Sequence, residues 1–438
     1  MQGATTINAV ELFVALVAIA ALVALVARRI AVPYTVALVV FGLGGALVAP
    51  QVGFGITEEL VLAVLLPGLI FEAAYQTDLG SFRRAFGGIA LLAAPGVLIT
   101  AAIVALVLQW TVQLPFELGF VVGAMVAATD PAAVVSTFKH LRSPKRLAAL
   151  VEGESLLNDG TALVVFAIAI RAVTSGVSAG DALLTFALTI IFSTAIGAVL
   201  GVVASRIIAT VDDHLIELTV SLATAYGSYL IADLFHESGV IATVVAGMVL
   251  GTYGRRIGMS QRTREALDTV WEFLAFLLTA LVFLLVGLAI SVPQLLDALP
   301  AIIWTVVAIT VGRAIAVYGL VGGTSRMISD RYHPAVPFAW LHVMFWAGLR
   351  GAVAVAMALS LPPDFPQRNL LREITYGVVL FTLLVQGTTT ELVIRWTGAG
   401  ADGPHGDPTA DAMRDPGARA GGGHAAGRPD GTSTRREP

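Results

Sequence analysis

Long apolar runs, each bounded by charged residues, proline or glycine, follow one another along most of the chain. A helix needs about 20 apolar residues to cross the hydrocarbon core of a membrane. We predict thirteen such helices, at residues 8–28, 33–50, 57–77, 86–111, 116–138, 147–174, 181–210, 215–232, 236–254, 266–291, 297–322, 337–361 and 371–397. The first run is long enough to span and has no basic segment before it, so we interpret it as a retained helix and not as a signal peptide.

The composition supports a membrane protein. Of 438 residues, 57% are hydrophobic and 13% are charged, with a mean hydropathy of +0.85, whereas a soluble domain has about 25% charged residues. We therefore expect a single all-α polytopic membrane unit over residues 1–398. The sequence has no cysteine, which excludes disulfides, thiolate metal sites and cysteine nucleophiles.

The last forty residues differ from the rest. Residues 399–438 are rich in glycine, proline, alanine and charged side chains. Such a segment buries too little apolar surface to offset the entropy of ordering, so we predict a disordered tail. Its two histidines, His405 and His424, are isolated in sequence, and we expect them to be solvated.

Lysine and arginine residues are concentrated in alternate loops. The opposite loops carry only Arg171, Arg368 and Arg372. Because cytoplasmic loops are enriched in lysine and arginine, we expect an outside N-terminus and a cytoplasmic C-terminus in the cell membrane, in agreement with an odd number of helices. The fifteen basic residues on the predicted cytoplasmic side are Arg28, Arg29, Arg83, Arg84, Lys139, Arg142, Lys145, Arg146, Arg206, Arg255, Arg256, Arg262, Arg264, Arg326 and Arg331.

Asp130 lies near the middle of the fifth run and is followed by Pro131. A charge at the centre of a spanning helix costs about 2.5–3.5 kcal/mol on insertion scales, so it requires a physical reason. Proline removes a helical donor and pushes the preceding residue out of the helical region. We predict a break at Thr129–Asp130 that leaves free carbonyls and half-helix ends beside a carboxylate. The alternative is a simple proline kink.

The sixth run carries four polar residues on one helical face: Glu154, Ser155, Asn158 and Asp159. Asp159 is roughly 18 Å from the cytoplasmic end at 1.5 Å per residue, the depth of Asp130 on the antiparallel neighbour. We therefore expect two carboxylates to converge at mid-membrane. A polar cluster that only joins helices is the alternative, since serine and asparagine bond across helices.

Three further charged residues lie within spans. Arg313 and Arg350 are central, and a buried acid and a buried guanidinium offset each other's desolvation only when paired. We predict that Glu154 pairs with Arg313, which leaves Arg350 to face half-helix carbonyls or Asp130. Glu72 lies nearer the cytoplasmic end of the third run, where it either lines an access funnel or extends to the membrane surface.

The fifth and twelfth runs indicate internal symmetry. Gly348, Leu349, Arg350 and Gly351 occupy the depth in the twelfth run that Thr129–Pro131 occupy in the fifth. The twelfth run comes seven spans after the fifth. Because seven is odd, the two runs cross the membrane in opposite directions. Transporters repeat bundles in this inverted way and place broken helices of both halves at the midplane, so we predict that both helices break and cross.

Four motifs carry a family resemblance: FEAAYQTDL, ATDPAAVVSTFK, EGESLLNDGTALVVF and GLRGAVAVA. Together they resemble the cation:proton antiporter family of the bacterial NhaP antiporters and animal sodium/proton exchangers, over nearly the whole chain to about residue 397. The resemblance implies an NhaA-like antiporter fold with inverted repeats and two broken crossing helices. It also implies a secondary transporter, not an enzyme, that forms a homodimer.

The resemblance assigns roles residue by residue. Asp159 would carry the proton or the cation, and Asp130, Ser155 and a Thr129 oxygen would complete a sodium site. The expected supporting residues are Asn158, Glu154, Arg313, Arg350 and Glu72. We expect sodium or lithium and protons as substrates, no cofactor and no nucleic-acid partner.

The chemistry of the site predicts exchange. Sodium is a hard cation that takes oxygen ligands, and the site offers only carboxylate, hydroxyl and carbonyl oxygens. Burial disfavours a charged carboxyl and a bound cation favours it, so sodium and proton should compete for Asp159. Because Asn158 cannot titrate, we expect electroneutral exchange of one proton per cation.

Two other functions remain open at this stage. A potassium/proton antiporter would have the same fold and motifs. An intramembrane aspartyl protease also uses two aspartates on neighbouring helices, but its YD and GxGD patterns differ from the Thr-Asp-Pro and Asn-Asp-Gly of this chain. A metalloprotease is disfavoured because His236-Glu237 has no second histidine at position 240.

Overall fold

A computed structural model describes residues 9–30, 33–48, 60–327 and 335–400. Every regular element within these ranges is helical, which confirms the predicted all-α class. The predicted tail lies outside the described residues from position 401 onward. The helices are α1 (Ala9–Ile30), α2 (Tyr34–Val48), α3 (Leu60–Gln76), α4 (Leu79–Thr111), α5 (Phe116–Ala127), α6 (Ala132–Leu141), α7 (Lys145–Ser175), α8 (Ala179–Ile208), α9 (His214–Leu234), α10 (Gly239–Ile257), α11 (Gln261–Ala289), α12 (Val292–Asp297), α13 (Leu299–Met327), α14 (Phe338–Trp346), α15 (Ala352–Leu359) and α16 (Arg368–Thr397).

The helices are long and apolar enough for a multi-pass membrane protein. Within the described ranges, nine helical stretches have the length and hydropathy to cross a membrane, and α1, α2 and α3 contribute shorter apolar segments. The short helices α14 and α15 together cover the twelfth predicted run. The total of thirteen spans stays a prediction.

The predicted start of the fourth helix is wrong by seven residues. We expected residue 86, but α4 begins at Leu79, because Asp78 caps its N-terminus and accepts hydrogen bonds from the Gly80 and Ser81 amides at 3.1 Å each. The Ser81 hydroxyl also donates to Asp78 at 2.6 Å, and this bond lowers the pKa of the Asp78 carboxyl. Because this cap stabilises an earlier start, the helix includes two arginines that we had placed in a loop.

The helices pack in two groups. One group contains α1, α2, α3 and α8 to α11, and the other contains α4 to α7 and α13 to α16. Small residues allow close approach within the second group: a Cβ atom on Gly119 of α5 would lie 2.8 Å from the Ala105 Cα of α4. This is the packing expected of helices in lipid, where van der Waals contact replaces the hydrophobic effect.

The second group contains the predicted repeat. Its first three spans are α4, the pair α5–α6, and α7, and its last three are α13, the pair α14–α15, and α16. In each set the middle span is interrupted, at 128–131 in the first and at 347–351 in the second. The two predicted broken helices are therefore present.

Candidate ion-binding site

The two interrupted spans meet at their breaks. The first half-helix ends at Ala127, and Pro131 is the last residue of the break, directly before α6. Its ring disfavours a helical conformation for the residue before it, Asp130. The Asp130 amide donates a 2.8 Å hydrogen bond to the Leu349 carbonyl in the second break. The predicted crossing is thus confirmed, and it is a contact between two backbones.

Asp130 lies between the N-termini of two half-helices. Its carboxylate accepts hydrogen bonds from the Ala132 amide at 2.9 Å and from the Ala352 amide, which are the first residues of α6 and α15. Each N-terminus carries unpaired N–H groups and a partial positive charge. A carboxylate here stabilises both ends at once.

Gly351 allows this arrangement. A Cβ atom at this position would overlap the Asp130 carboxyl group. Its φ of −141° is accessible to any residue, so the requirement for glycine comes from the neighbouring carboxylate and not from the backbone.

Glu154 and Arg313 form the predicted ion pair. Both Arg313 terminal nitrogens donate to Glu154, one of them to Oε2 at 2.9 Å. Arg313 also donates to the Met344 carbonyl, from Nε at 3.2 Å and from Nη2 at 2.6 Å. The guanidinium therefore satisfies both a buried acid and the C-terminal end of half-helix α14, where a cation is favoured.

Arg350 does not form an ion pair with Asp130 or any other residue in the described part of the chain. Its side chain is 2% exposed, and Nε and Nη1 have no hydrogen-bond partner. It lines a cavity of about 10 Å³ together with Glu154, Arg313 and Ala127, the last residue of half-helix α5. Of the two environments we predicted for Arg350, the half-helix end agrees with this position and Asp130 does not.

Asn158 and Ser155 bind every polar group of Thr129. Asn158 accepts from the Thr129 amide at 3.1 Å and donates to its hydroxyl at 2.7 Å. The Ser155 hydroxyl donates to the Thr129 carbonyl. Because all three side chains are at most 5% exposed, these bonds fix the first break against α7.

Asp159 lines a large cavity. The cavity, which we call the access funnel, has a volume of about 710 Å³, and Asp159, Asp130 and Ser155 line it. The Asp159 and Asp130 carboxyl groups are close enough for their charges to interact, and Asp159 Oδ1 is buried without a hydrogen-bond partner. The predicted convergence of two acids is present. Thr129 does not line the funnel.

Four more charged residues line the access funnel: Glu72, Lys139, Glu152 and Glu272. The funnel position of Glu72 was one of our two expectations. We used Lys139 only as a marker of orientation, and we overlooked Glu272. Glu272 lies well inside helix α11, between Trp271 and Phe273, and an acid in that apolar surrounding was a signal that could have identified it.

Comparison with known proteins identifies the family. A sequence model described as the transmembrane sodium/hydrogen exchanger matches residues 14–396. The low-affinity Na⁺/H⁺ antiporter NhaS1 of Synechocystis sp. is 39% identical over 368 residues, which are 83% of this chain and 69% of NhaS1. The Na⁺/H⁺ antiporter NhaP of Pseudomonas aeruginosa is 35% identical over 358 residues, which are 78% of this chain and 82% of that protein.

A solved structure has the same fold. The sodium proton antiporter MjNhaP1 of Methanocaldococcus jannaschii superposes with a TM-score of 0.67 at 19% identity, covering 87% of this chain and 96% of that one. The match supports the overall fold. From the family match over residues 14–396 and the identity to its relatives, we conclude that this chain belongs to the sodium/hydrogen exchanger family.

Proposed function

We propose that this protein exchanges sodium or lithium ions for protons across the membrane, with Asp159 as the group that binds either one. The observation that carries the proposal is the position of Asp159: its carboxylate has a buried oxygen without a hydrogen-bond partner, and it lines the access funnel together with Asp130. Membership of an exchanger family, whose members are secondary transporters and not enzymes, supports it and disfavours the protease alternative.

The charges of the buried site explain the coupling. Arg313 and Arg350 bring two positive charges, and Glu154 and Asp130 bring two negative ones. Asp159 is the fifth charged group, so the site is neutral when Asp159 holds a proton or a sodium ion and carries one negative charge when it is empty. Moving an uncompensated charge through an apolar barrier is costly, so the helices that hold the site move it across the barrier only when Asp159 is loaded.

The geometry supports a sodium site made of oxygen atoms. Ser155 donates its proton to Thr129, so its lone pairs remain free for a cation. Carboxylates accept at several lone-pair positions, and Asp130 keeps some of these after its two amide bonds. In this proposal Asp159, Asp130 and Ser155 bind sodium directly. The Thr129 carbonyl, which we expected to be a ligand, instead orients the Ser155 hydroxyl by accepting its hydrogen bond, and Thr129 does not line the funnel.

The test is exchange by purified protein in proteoliposomes that contain a pH-sensitive dye. We expect a sodium gradient to drive proton flux in the wild type and at least a hundredfold less in Asp159→Asn, which neither titrates nor carries charge. Asp364→Asn, in an exposed loop, is the matched control and should retain full activity. Full exchange by Asp159→Asn would contradict the assignment.

Stoichiometry follows from the same charges. Only Asp159 changes occupancy, and Asn158 cannot release a proton, so we propose one proton per monovalent cation. Such exchange is electroneutral and should be insensitive to membrane voltage. A current that requires both ions, measured in voltage-clamped proteoliposomes at matched gradients, would contradict it.

Potassium is the less favoured cation. Relatives carry names that specify Na⁺/H⁺ antiport, and none of the proposed ligands distinguishes potassium by its chemistry. Replacing sodium with potassium at equal concentration in the proteoliposome assay should reduce proton flux at least tenfold. Equal fluxes would mean that the cation assignment is too narrow.

We further propose a homodimer in the cell membrane, with the N-terminus outside and the C-terminus in the cytoplasm. The basic residues of alternate loops support this orientation. Reporter fusions that fluoresce only in the cytoplasm would test it at the C-terminus. Mass measurement of the detergent-solubilised protein would test the dimer, and a monomer at micromolar concentration would contradict it.

A further inference from the structure

The access funnel contains one basic residue among its acids. Of the described residues that line it, Glu72, Asp130, Glu152, Asp159 and Glu272 are acidic, and Lys139 is the sole base. Lys139 lies nine residues after Asp130 on the adjoining half-helix, which places its Cα roughly 13 Å from the site along the helix axis. A cation inside the funnel therefore shares one cavity with Lys139.

The Lys139 ammonium is not held by a carboxylate. It interacts electrostatically with Glu72 and Glu152, but no ion pair within 4 Å includes it in the described part of the chain. Its side chain is exposed. Lys139 is therefore an exposed positive charge that shares the funnel with the carboxylates, and it is not an ion-pair partner of one of them among the described residues.

The three glutamates that line the funnel with Lys139 come from both helix groups. Glu72 lies on α3 and Glu272 on α11 in the first group, while Glu152 lies on α7 in the second. These acids attract any monovalent cation, and an ammonium on a tether carries the same charge as sodium. Lys139 and sodium therefore compete for these acids, because a carboxylate whose charge is partly neutralised by the ammonium attracts sodium less strongly.

We propose that Lys139 lowers the affinity of the protein for its transported cation by competing electrostatically for the funnel carboxylates. The inference rests on the proposed exchange function. The expected size follows from Coulomb's law: a unit charge about 10 Å away, in surroundings between water and a protein surface, changes cation occupancy by roughly twofold to tenfold. The effect is on the KM for sodium and not on the maximal rate, because Lys139 is not one of the proposed ligands.

The test compares variants in inside-out vesicles from a bacterial host deleted of its own sodium/proton antiporters. Lys139→Gln should lower the KM for sodium about threefold to tenfold, with kcat changed by less than about twofold. Lys139→Arg, which keeps the charge, should keep the wild-type KM. The matched control is Lys145→Gln, an equally exposed lysine outside the funnel, and it should also keep the wild-type KM.

Ionic strength separates this effect from a local structural change. Because the Debye length falls to about 3 Å at 1 M salt, the KM of Lys139→Gln should approach that of the wild type when choline chloride is added. An unchanged or raised KM in Lys139→Gln, or an equal fall in Lys145→Gln, would overturn the inference while leaving the exchange function intact. Absence of sodium-driven proton flux in the wild type would instead refute the function itself.

Discussion

The Asp130 amide donates a 2.8 Å hydrogen bond to the Leu349 carbonyl, and this bond joins two interrupted helices that are more than two hundred residues apart in sequence. The Asp130 carboxylate then accepts from the first amides of the half-helices α6 and α15. One residue thus links the crossing through its backbone and neutralises two helix ends through its side chain. The crossing and the ion-binding site are therefore one structural unit.

Gly351→Ala should impair exchange without preventing folding of the rest of the protein. The added methyl group overlaps the Asp130 carboxyl, so Asp130 must move away from the α15 N-terminus, and a displacement of about 1 Å at a reacting site can cost a hundredfold in rate. We expect at least a tenfold lower kcat in proteoliposomes. Gly87→Ala, where nothing lies within 4 Å of the new atom, should retain full exchange, and equal loss in both would contradict the steric explanation.

Glu154→Gln should destabilise the protein strongly. Removing the charge of one partner of a buried ion pair leaves an uncompensated charge, at a cost of about 3–5 kcal/mol. Arg313 would keep only neutral acceptors, the Met344 carbonyl and the glutamine amide oxygen. The measurement is thermal unfolding in detergent. The comparison is Glu391→Gln, which breaks the exposed Glu391–Arg395 pair and should cost less than about 1 kcal/mol. Similar melting temperatures for the two variants would show that burial of the Glu154–Arg313 pair does not increase its contribution to stability.

Asn158→Ala should weaken sodium binding. It leaves the Thr129 amide and hydroxyl without the partners they have now, and an unsatisfied buried group costs about 1–3 kcal/mol. The first break would relax away from Ser155, so we expect the KM for sodium to rise about tenfold or more. Asn369→Ala, at an exposed asparagine, is the control. An unchanged KM in Asn158→Ala would show that the hydrogen bonds between Asn158 and Thr129 are not needed for sodium binding.

The KM for sodium should depend on pH in a specific direction. If one proton and one sodium ion compete for Asp159, protonation removes the sodium site, so the KM rises as the pH falls, by up to about tenfold per pH unit. The maximal rate at saturating sodium should be much less sensitive. Initial rates over a sodium series at several pH values test this, and a KM that falls with decreasing pH would exclude simple competition.

The sequence determined the features that depend on neighbouring residues. Apolar runs predict spans because lipid cannot satisfy a free backbone, and the four polar residues of the sixth run share a face because helical geometry places them there. Pro131 and the Gly348–Gly351 segment predicted both breaks for similarly local reasons. The start of α4 was missed because the apolar pattern carries little information about a polar cap such as Asp78.

Only the tertiary structure decided how residues distant in sequence combine. Arg313 binds the α14 C-terminal carbonyl as well as Glu154, Arg350 lies by the end of α5 and not on Asp130, and Glu272 faces the same funnel as Lys139. Each of these contacts depends on the distance and rotation between packed helices. Those quantities are set by close packing of small residues over the whole bundle, and no local pattern of hydrophobic and polar positions encodes them.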